Sequence, residues 1–102
     1  MTEATVRWFR RLPVEVQAVQ VVGDETGDLG RAIARWCHGS VGGDWTDPVI
    51  TVGTPFGPAT ARCGDWILRE PMAVGWTYRV VWNPTMGADH EEIGPDMREP
   101  QA

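Results

Sequence analysis

The chain has 102 residues, 42% of them hydrophobic, and a formal net charge of −5. This length fits a single domain, and six tryptophans offer large side chains for its core. The acidic balance argues against a generic nucleic-acid binder, because such a protein presents a dominant basic face. No apolar run approaches the roughly 18 residues that a membrane-spanning helix needs, so we expect no membrane association.

Residues 1–8 lack the basic start, apolar middle and small-residue cleavage site of a secretory signal. We therefore expect an intracellular protein in which Cys37 and Cys63 are buried free thiols, since disulfides are rare in that compartment. All nine basic residues are arginine. This bias indicates a G+C-rich genome, such as that of an actinobacterium or one of its phages.

The first two predicted elements are strands. Alternation over residues 6–10 predicts an edge strand, and residues 14–22 form a second strand after Pro13, which cannot donate a ladder hydrogen bond. The apolar phase of the second strand shifts between Ala18 and Val19. The shift indicates either a bulge or burial on both faces.

A helix is predicted next, with Thr26 or Asp28 as its N-cap and Gly39 as its end. Its apolar stripe repeats at i, i+4, i+7 and i+8, in Leu29, Ile33, Trp36 and Cys37. The glycine-rich residues 40–47 that follow are predicted to form a loop.

The remaining core is predicted to come from two pairs of strands. Residues 49–62 form two strands joined by a type I turn at 54–57, and residues 65–83 form a hairpin. Alternation places four large side chains on one face of the last strand: Trp76, Tyr78, Val80 and Trp82. We expect Trp76 and Trp82 to be buried against the helix stripe.

After Pro84 the apolar pattern fades. Residues 88–93 are predicted to form one helical turn, and residues 94–102 a flexible acidic tail. Together the elements predict an α+β fold in which one helix packs on a small antiparallel sheet of four to five strands. The whole of residues 1–93 is predicted to form a single domain.

Two separated stretches are similar to a known group of proteins. Residues 7–20 combine a basic-aromatic-Arg run with Pro13 and a Val-Glu-Val-Gln-Ala-Val-Gln strand, and residues 64–69 are Gly-Asp-Trp-Ile-Leu-Arg. Over residues 7–78, the order of these motifs resembles a family of small, uncharacterised phage and prophage proteins; after Tyr78 the sequence departs from that family. The resemblance implies a phage or prophage gene product and brings no catalytic residue with it.

The soft metal ligands of the chain do not form a converging set. They are Cys37, His38, Cys63 and His90. Zinc sites usually draw two ligands from a Cys-x-x-Cys or His-x-x-x-His spacing, whereas adjacent Cys37 and His38 on a helix point about 100° apart. A Cys-His nucleophilic pair also needs a third, orienting group, which no pattern here indicates. We therefore expect neither a metal or cofactor nor an enzymatic activity.

Cations alternate with aromatic residues near the N-terminus, in Arg7, Trp8, Arg10 and Arg11. Such interleaving is typical of platforms for single-stranded nucleic acid. In a strand, however, Trp8 lies on one face with Arg10, while Phe9 lies on the other with Arg7 and Arg11. Because the cations and rings are divided between two faces, a nucleic-acid-binding regulator is the alternative function and not the first choice. The edge of the same strand is a candidate for homodimer formation.

Arg31, Arg35 and His38 repeat at i, i+4 and i+7 and so share one helix face on an otherwise acidic chain. A face of this kind is either solvated surface that complements the helix dipole or a docking surface for an acidic protein. We expect the second: a non-enzymatic phage accessory protein that binds a host protein in the host cytoplasm.

Overall fold

The computed structural model describes residues 2–11, 14–83, 86 and 91–93. These residues contain helix α1 and eight strands, which confirms the predicted α+β class. The helix is α1 (Asp28–Trp36), and the strands are β1 (Arg7–Arg11), β2 (Val14–Gln20), β3 (Ser40–Asp44), β4 (Asp47–Thr54), β5 (Gly57–Ala61), β6 (Trp66–Pro71), β7 (Trp76–Val81) and β8 (Glu91–Ile93). No helix within these ranges is long and apolar enough to cross a bilayer. The predicted tail, 94–102, lies outside the described residues.

The strands form two antiparallel sheets, where the sequence predicted one. The larger has the order β7-β6-β2-β1-β8, and the smaller has the order β3-β4-β5. Residues 40–44, predicted as part of a loop, pair with β4 from Ser40 opposite Thr51 to Asp44 opposite Asp47. Glycine lowers the strand signal of this segment, but the tight turn after Asp44 brings its backbone beside β4 and pairing follows.

Strand β1 is not the edge strand that its charge pattern predicts. Strand β8 pairs with it, from Trp8 opposite Ile93 to Arg10 opposite Glu91. Residues 91–93 are therefore a strand rather than part of a helical turn. Two adjacent glutamates give no local strand signal, whereas the unpaired backbone edge of β1 offers the hydrogen bonds that fix this conformation.

The larger sheet is buried on both faces. One face packs on α1 and the smaller sheet in a core of Val19, Val21, Ile33, Ala34, Cys37, Ile50, Val52, Ala61 and Ile67. The other face holds a second core of Phe9, Val16, Ala18, Trp66, Leu68, Val81 and Met86. Strand β2 supplies residues to both cores, and its register with β6 contains no extra residue between Gln17 and Gln20. The phase shift at Ala18 and Val19 is therefore burial on both faces, and not a bulge.

The buried tryptophan of the hairpin is Trp66, only 6% exposed, while Trp76 is 44% and Trp82 66% exposed. The prediction that Trp76 and Trp82 are core residues is wrong. Trp82 lies beyond the last residue of β7, so strand alternation no longer controls its direction. Helix α1 is only nine residues long and contacts the predicted face at Tyr78, whose ring lies edge-on to Trp36 at 6.1 Å.

The start of α1 is fixed by Asp24, a residue that the sequence pattern did not single out. Its carboxylate accepts hydrogen bonds from the backbone N–H groups of Gly27 at 2.6 Å and Leu29 at 3.0 Å. Gly27 occupies the N-cap with a left-handed φ of 80°. The predicted N-cap, Thr26 or Asp28, is therefore wrong. The Thr26 hydroxyl lies one residue before the cap and accepts a hydrogen bond from the N–H of Asp28 at 3.2 Å.

Candidate functional site

The three residues of the predicted docking face, two arginines and a histidine, line one open groove. Arg31, Arg35 and His38 border a volume of about 570 Å³ between α1 and the start of β3. Ala34, Gly39, Ser40 and Val41 complete its lining. The helical spacing holds for Arg31 and Arg35, whereas His38 lies beyond the last helical residue and reaches the groove from the turn that ends α1. The strand that faces these side chains is an addition that the sequence did not indicate.

The two arginines differ in how they are held. The Arg31 guanidinium forms a salt bridge with Asp28 and donates to the carbonyl oxygen of Thr26 at 3.3 Å. The Arg35 guanidinium donates to the carbonyl oxygen of Thr2 at 3.4 Å. Both arginines are exposed, so these contacts orient the cations while leaving them accessible to a partner.

His38 ends the helix in a left-handed conformation, with φ of 55°. Its N–H donates to the carbonyl of Arg35 at 3.3 Å, and the N–H of Gly39 donates to the carbonyl of Ala34 at 2.8 Å. These two bonds form a Schellman motif, whose left-handed position usually belongs to glycine. The left-handed residue is therefore His38, whereas Gly39 is required because a Cβ there would lie 2.3 Å from the carbonyl oxygen of Thr51.

A second, smaller groove extends the surface toward the turn between β3 and β4. It has a volume of about 140 Å³ and shares Arg31 and Val41 with the first groove. Trp45, 61% exposed, stands at its far end. We call the combined surface of the two grooves, which runs from Arg35 and His38 past Arg31 to Trp45, the basic groove.

Strand β3 forms one wall of the basic groove and is an edge strand of the smaller sheet. All five of its residues are exposed. An edge strand presents backbone N–H and C=O groups that have no partner within the sheet. The basic groove thus combines cations on a helix with hydrogen-bonding groups on a neighbouring backbone.

The alternative N-terminal site is not assembled on one face. The Arg7 guanidinium lies over the buried rings of Trp66 and Phe9, at 4.9 and 5.7 Å from their centroids. Strand alternation places Trp8 on the opposite face of β1. Arg10 and Arg11 lie in the same strand, and their side chains are outside the described part of the structure.

Both cysteines are free thiols, Cys37 buried and Cys63 exposed. The prediction that both are buried is thus wrong for Cys63, which lies in the short loop before β6. Burial raises the pKa of the Cys37 thiol, and partial burial together with the Asp47 carboxylate raises that of Cys63. Within the described residues, no group of three or more His, Cys, Asp or Glu side chains is placed to hold a metal ion. His90 lies outside those residues.

Sequence reasoning missed an arginine between two indole rings. The Arg69 guanidinium lies 4.7 Å from the ring centroid of Trp36 and 4.5 Å from that of Trp76. Its Nε donates to the Gln17 side-chain oxygen at 2.6 Å. These stacked contacts join α1 to the larger sheet at the end beside His38. Trp36 is far from Arg69 in the chain, so no local pattern predicts that contact, whereas Arg69 and Trp76 lie on the paired strands β6 and β7.

A second surface is largely apolar. A groove of about 370 Å³ lies between the β4–β5 turn and strand β7, and its lining includes Phe56, Tyr78 and Val80. Phe56 is 99% exposed, so the turn presents an entire aromatic ring to solvent. The exposed apolar surface at this end of the smaller sheet thus consists of the groove and this one ring.

Comparison of the chain with protein-family models, curated proteins and solved structures found no match.

Proposed function

We propose that this protein is a non-enzymatic accessory protein that binds an acidic surface of a protein partner through its basic groove. One observation carries the proposal: Arg31, Arg35 and His38 border the same open groove with the half-exposed apolar side chain of Val41. Two arginine cations and an imidazole around a small apolar contact are suited to protein recognition. The charges select an acidic partner and accelerate encounter, while apolar burial supports affinity.

The proposed setting is a phage infection. The arginine-only set of basic residues and the motifs within residues 7–78 support a gene product of an actinobacteriophage or prophage. The partner is then a protein of the bacterial host, met in the host cytoplasm. The phage origin and the host partner are supported by composition and resemblance, whereas the docking surface is supported by the contacts of the groove.

Protein docking is favoured over nucleic-acid binding by the position of the arginines. Arg7 stacks on rings that belong to the second core, and this contact orients it along the protein surface. Arg31 and Arg35 instead project beside an open groove. A net charge of −5 further disfavours the approach of a polyanion, except at a face that is locally basic.

The test of this function uses a charge-reversal variant, Arg31→Glu with Arg35→Glu. A partner captured from host lysate is identified and purified, and its affinity for each variant is measured at low and high salt. We expect the double variant to lose affinity by on the order of several kcal/mol, because like charges then face each other across the interface. Arg62→Glu, in an exposed loop outside the groove, is the control for reversal of a single arginine.

The same variant must remain folded for the result to be interpreted. Arg35→Glu opposes the helix dipole in the last turn of α1 and is expected to cost about 0.3–1 kcal/mol of stability. Arg31→Glu replaces the exposed salt bridge with Asp28 by a like-charge pair, which is expected to cost about 0.2–0.5 kcal/mol more. If the double variant binds the purified partner as tightly as the wild type, the cationic face is only solvated surface and the proposal fails.

A further inference from the structure

We infer that the basic groove takes an extended acidic segment of the partner, which adds to the smaller sheet as a strand beside β3. The inference rests on the proposed function and specifies the binding mode. It follows from four features of the groove: the orientation of the β3 backbone, the glycine at its centre, the contrast with β5, and the placement of the cations.

The backbone groups of Val41 point away from β4. Pro48 and Pro58 have no N–H and so occupy non-hydrogen-bonded pairs, opposite Gly43 and Gly53 respectively. Because the two kinds of pair alternate, both prolines give the same result: Ser40 and Gly42 bond to β4, and Val41 does not. The N–H and C=O of Val41 are therefore available to a strand on the open side.

Gly42 has no structural need to be glycine. A Cβ built on it would meet no atom within 4 Å, and its φ is not in the left-handed range. Glycine within a strand weakens the element and often marks a site where another backbone or a ligand approaches closely. Gly42, at the middle of β3, is a glycine of this kind.

The opposite edge of the smaller sheet is protected, and the edge at β3 is not. In β5, the alternation places the ring nitrogen of Pro58 on the outer side, where it cannot donate a hydrogen bond. Proline, lysine and inward-pointing charges are the usual means of blocking an edge. Strand β3 reads Ser-Val-Gly-Gly-Asp and has a single charge, at its last residue.

The cations determine the chemistry of the added strand. Arg31, Arg35 and His38 lie beside the first half of β3, whereas Asp28 pairs with Arg31 and Asp44 ends the strand. Acidic side chains on alternate residues of the added strand would face the helix, since successive residues point to opposite sides. The acidic positions belong next to Ser40 and Val41, away from Asp44.

The experiment uses a short peptide in which glutamate and valine alternate over about eight residues, and a copy N-methylated at every second residue. Methylation removes the edge hydrogen bonds and keeps the charge. We expect the unmodified peptide to bind in low salt and to slow amide exchange at Val41, and the methylated copy to bind about tenfold more weakly. Equal binding of the two peptides, or no binding of the unmodified peptide, would overturn strand addition.

The charge-reversal variant distinguishes a failure of strand addition from a failure of the proposed function. If both peptides bind equally but lose affinity for the protein with Arg31→Glu and Arg35→Glu, strand addition is wrong and docking by charge remains. If the unmodified peptide binds that variant as well as it binds the wild type, the proposed function is wrong too.

A backbone variant gives an independent measurement. Val41→Pro removes the outward N–H, and Val41→Ala removes the same side-chain contact with α1 while keeping the N–H. We expect the proline variant to bind the unmodified peptide about tenfold more weakly than the alanine variant. If the proline variant does not fold, the comparison of the two peptides on wild-type protein decides. A concentration-dependent dimer that excludes the peptide and is abolished in the proline variant would show that a second copy occupies the edge, which also overturns the inference.

Discussion

His38 holds a left-handed conformation that most residues avoid, at the end of the helix and inside the basic groove. The conformation costs roughly 1–2 kcal/mol for a residue with a Cβ, and the greater entropy of unfolded glycine offsets about 0.5–1 kcal/mol of that. We therefore predict that His38→Gly stabilises the protein by about 0.5–1 kcal/mol and weakens partner binding. Strain that is retained at a groove is a reason to infer function there.

The two effects of His38→Gly are measured by urea denaturation and by affinity for the purified partner. His38→Asn is the control, because asparagine tolerates the left-handed region but lacks the imidazole. A glycine variant that is more stable and binds as tightly as the wild type would show that His38 has no role in docking.

Trp66 anchors the second core, whereas Trp82 is mostly exposed. The Trp66 ring packs edge-on against Phe9 at 5.1 Å, and its Nε1 donates to the Asn83 side chain at 3.0 Å. We predict that Trp66→Ala lowers the free energy of unfolding by about 3–5 kcal/mol, and that Trp82→Ala lowers it by less than about 1 kcal/mol. Denaturant melts of both variants measure the difference. Equal losses would contradict the assignment of the core.

At the scale of one element, the start of α1 depends on an ionised side chain before the helix. Partial desolvation raises the pKa of Asp24, but hydrogen bonds from the N–H groups of Leu29, Gly27 and Thr26 outweigh it, so the pKa lies below the ordinary value of 3.8. A carboxylate whose pKa is lowered by folding stabilises the fold at pH values above its unfolded-state pKa. This stabilisation is lost as the pH falls through the folded-state pKa.

We predict that Asp24→Ala lowers the melting temperature at neutral pH, and that the gap from wild type narrows below about pH 4 as the wild-type carboxylate becomes protonated. Asp24→Asn keeps one oxygen acceptor without the charge, so its melting temperature at neutral pH should lie between those of the wild type and Asp24→Ala. Melting temperatures from about pH 2 to pH 7 test this. A gap that does not change with pH would show that the hydrogen bonds of Asp24 do not depend on its charge.

The elements that sequence could predict are those whose pattern is local. Strand β2 shows its burial on both faces in the phase shift at Ala18 and Val19, and α1 shows its cationic face in the helical spacing of Arg31 and Arg35. Strands β3 and β8 were missed because their strand character comes from the neighbouring strand and not from their own residues. For the same reason, the helix side of the basic groove was predictable and its β3 side was not.

At the scale of the whole molecule, Cys37 lies where α1 and both sheets meet. Its thiol is in the main core, whereas Cys63 is exposed in a loop. Their environments raise the pKa of both thiols, so each reacts slowly at neutral pH and faster as the pH rises. Cys63 is accessible to a reagent in the folded protein and Cys37 is not.

We predict that a thiol reagent modifies Cys63 in the folded protein, and modifies Cys37 only as fast as the core opens. Denatured protein without reductant should show two reactive thiols, and folded Cys63→Ser should show a single slow one whose rate increases with urea in step with unfolding. Trp66→Ala, which destabilises the other core, should accelerate Cys37 modification if the two cores unfold together. That coupling is expected because β2 and β6 each contribute residues to both cores. An unchanged Cys37 rate in this variant, despite its lower stability, would mean that the core between α1 and the two sheets opens independently of the second core.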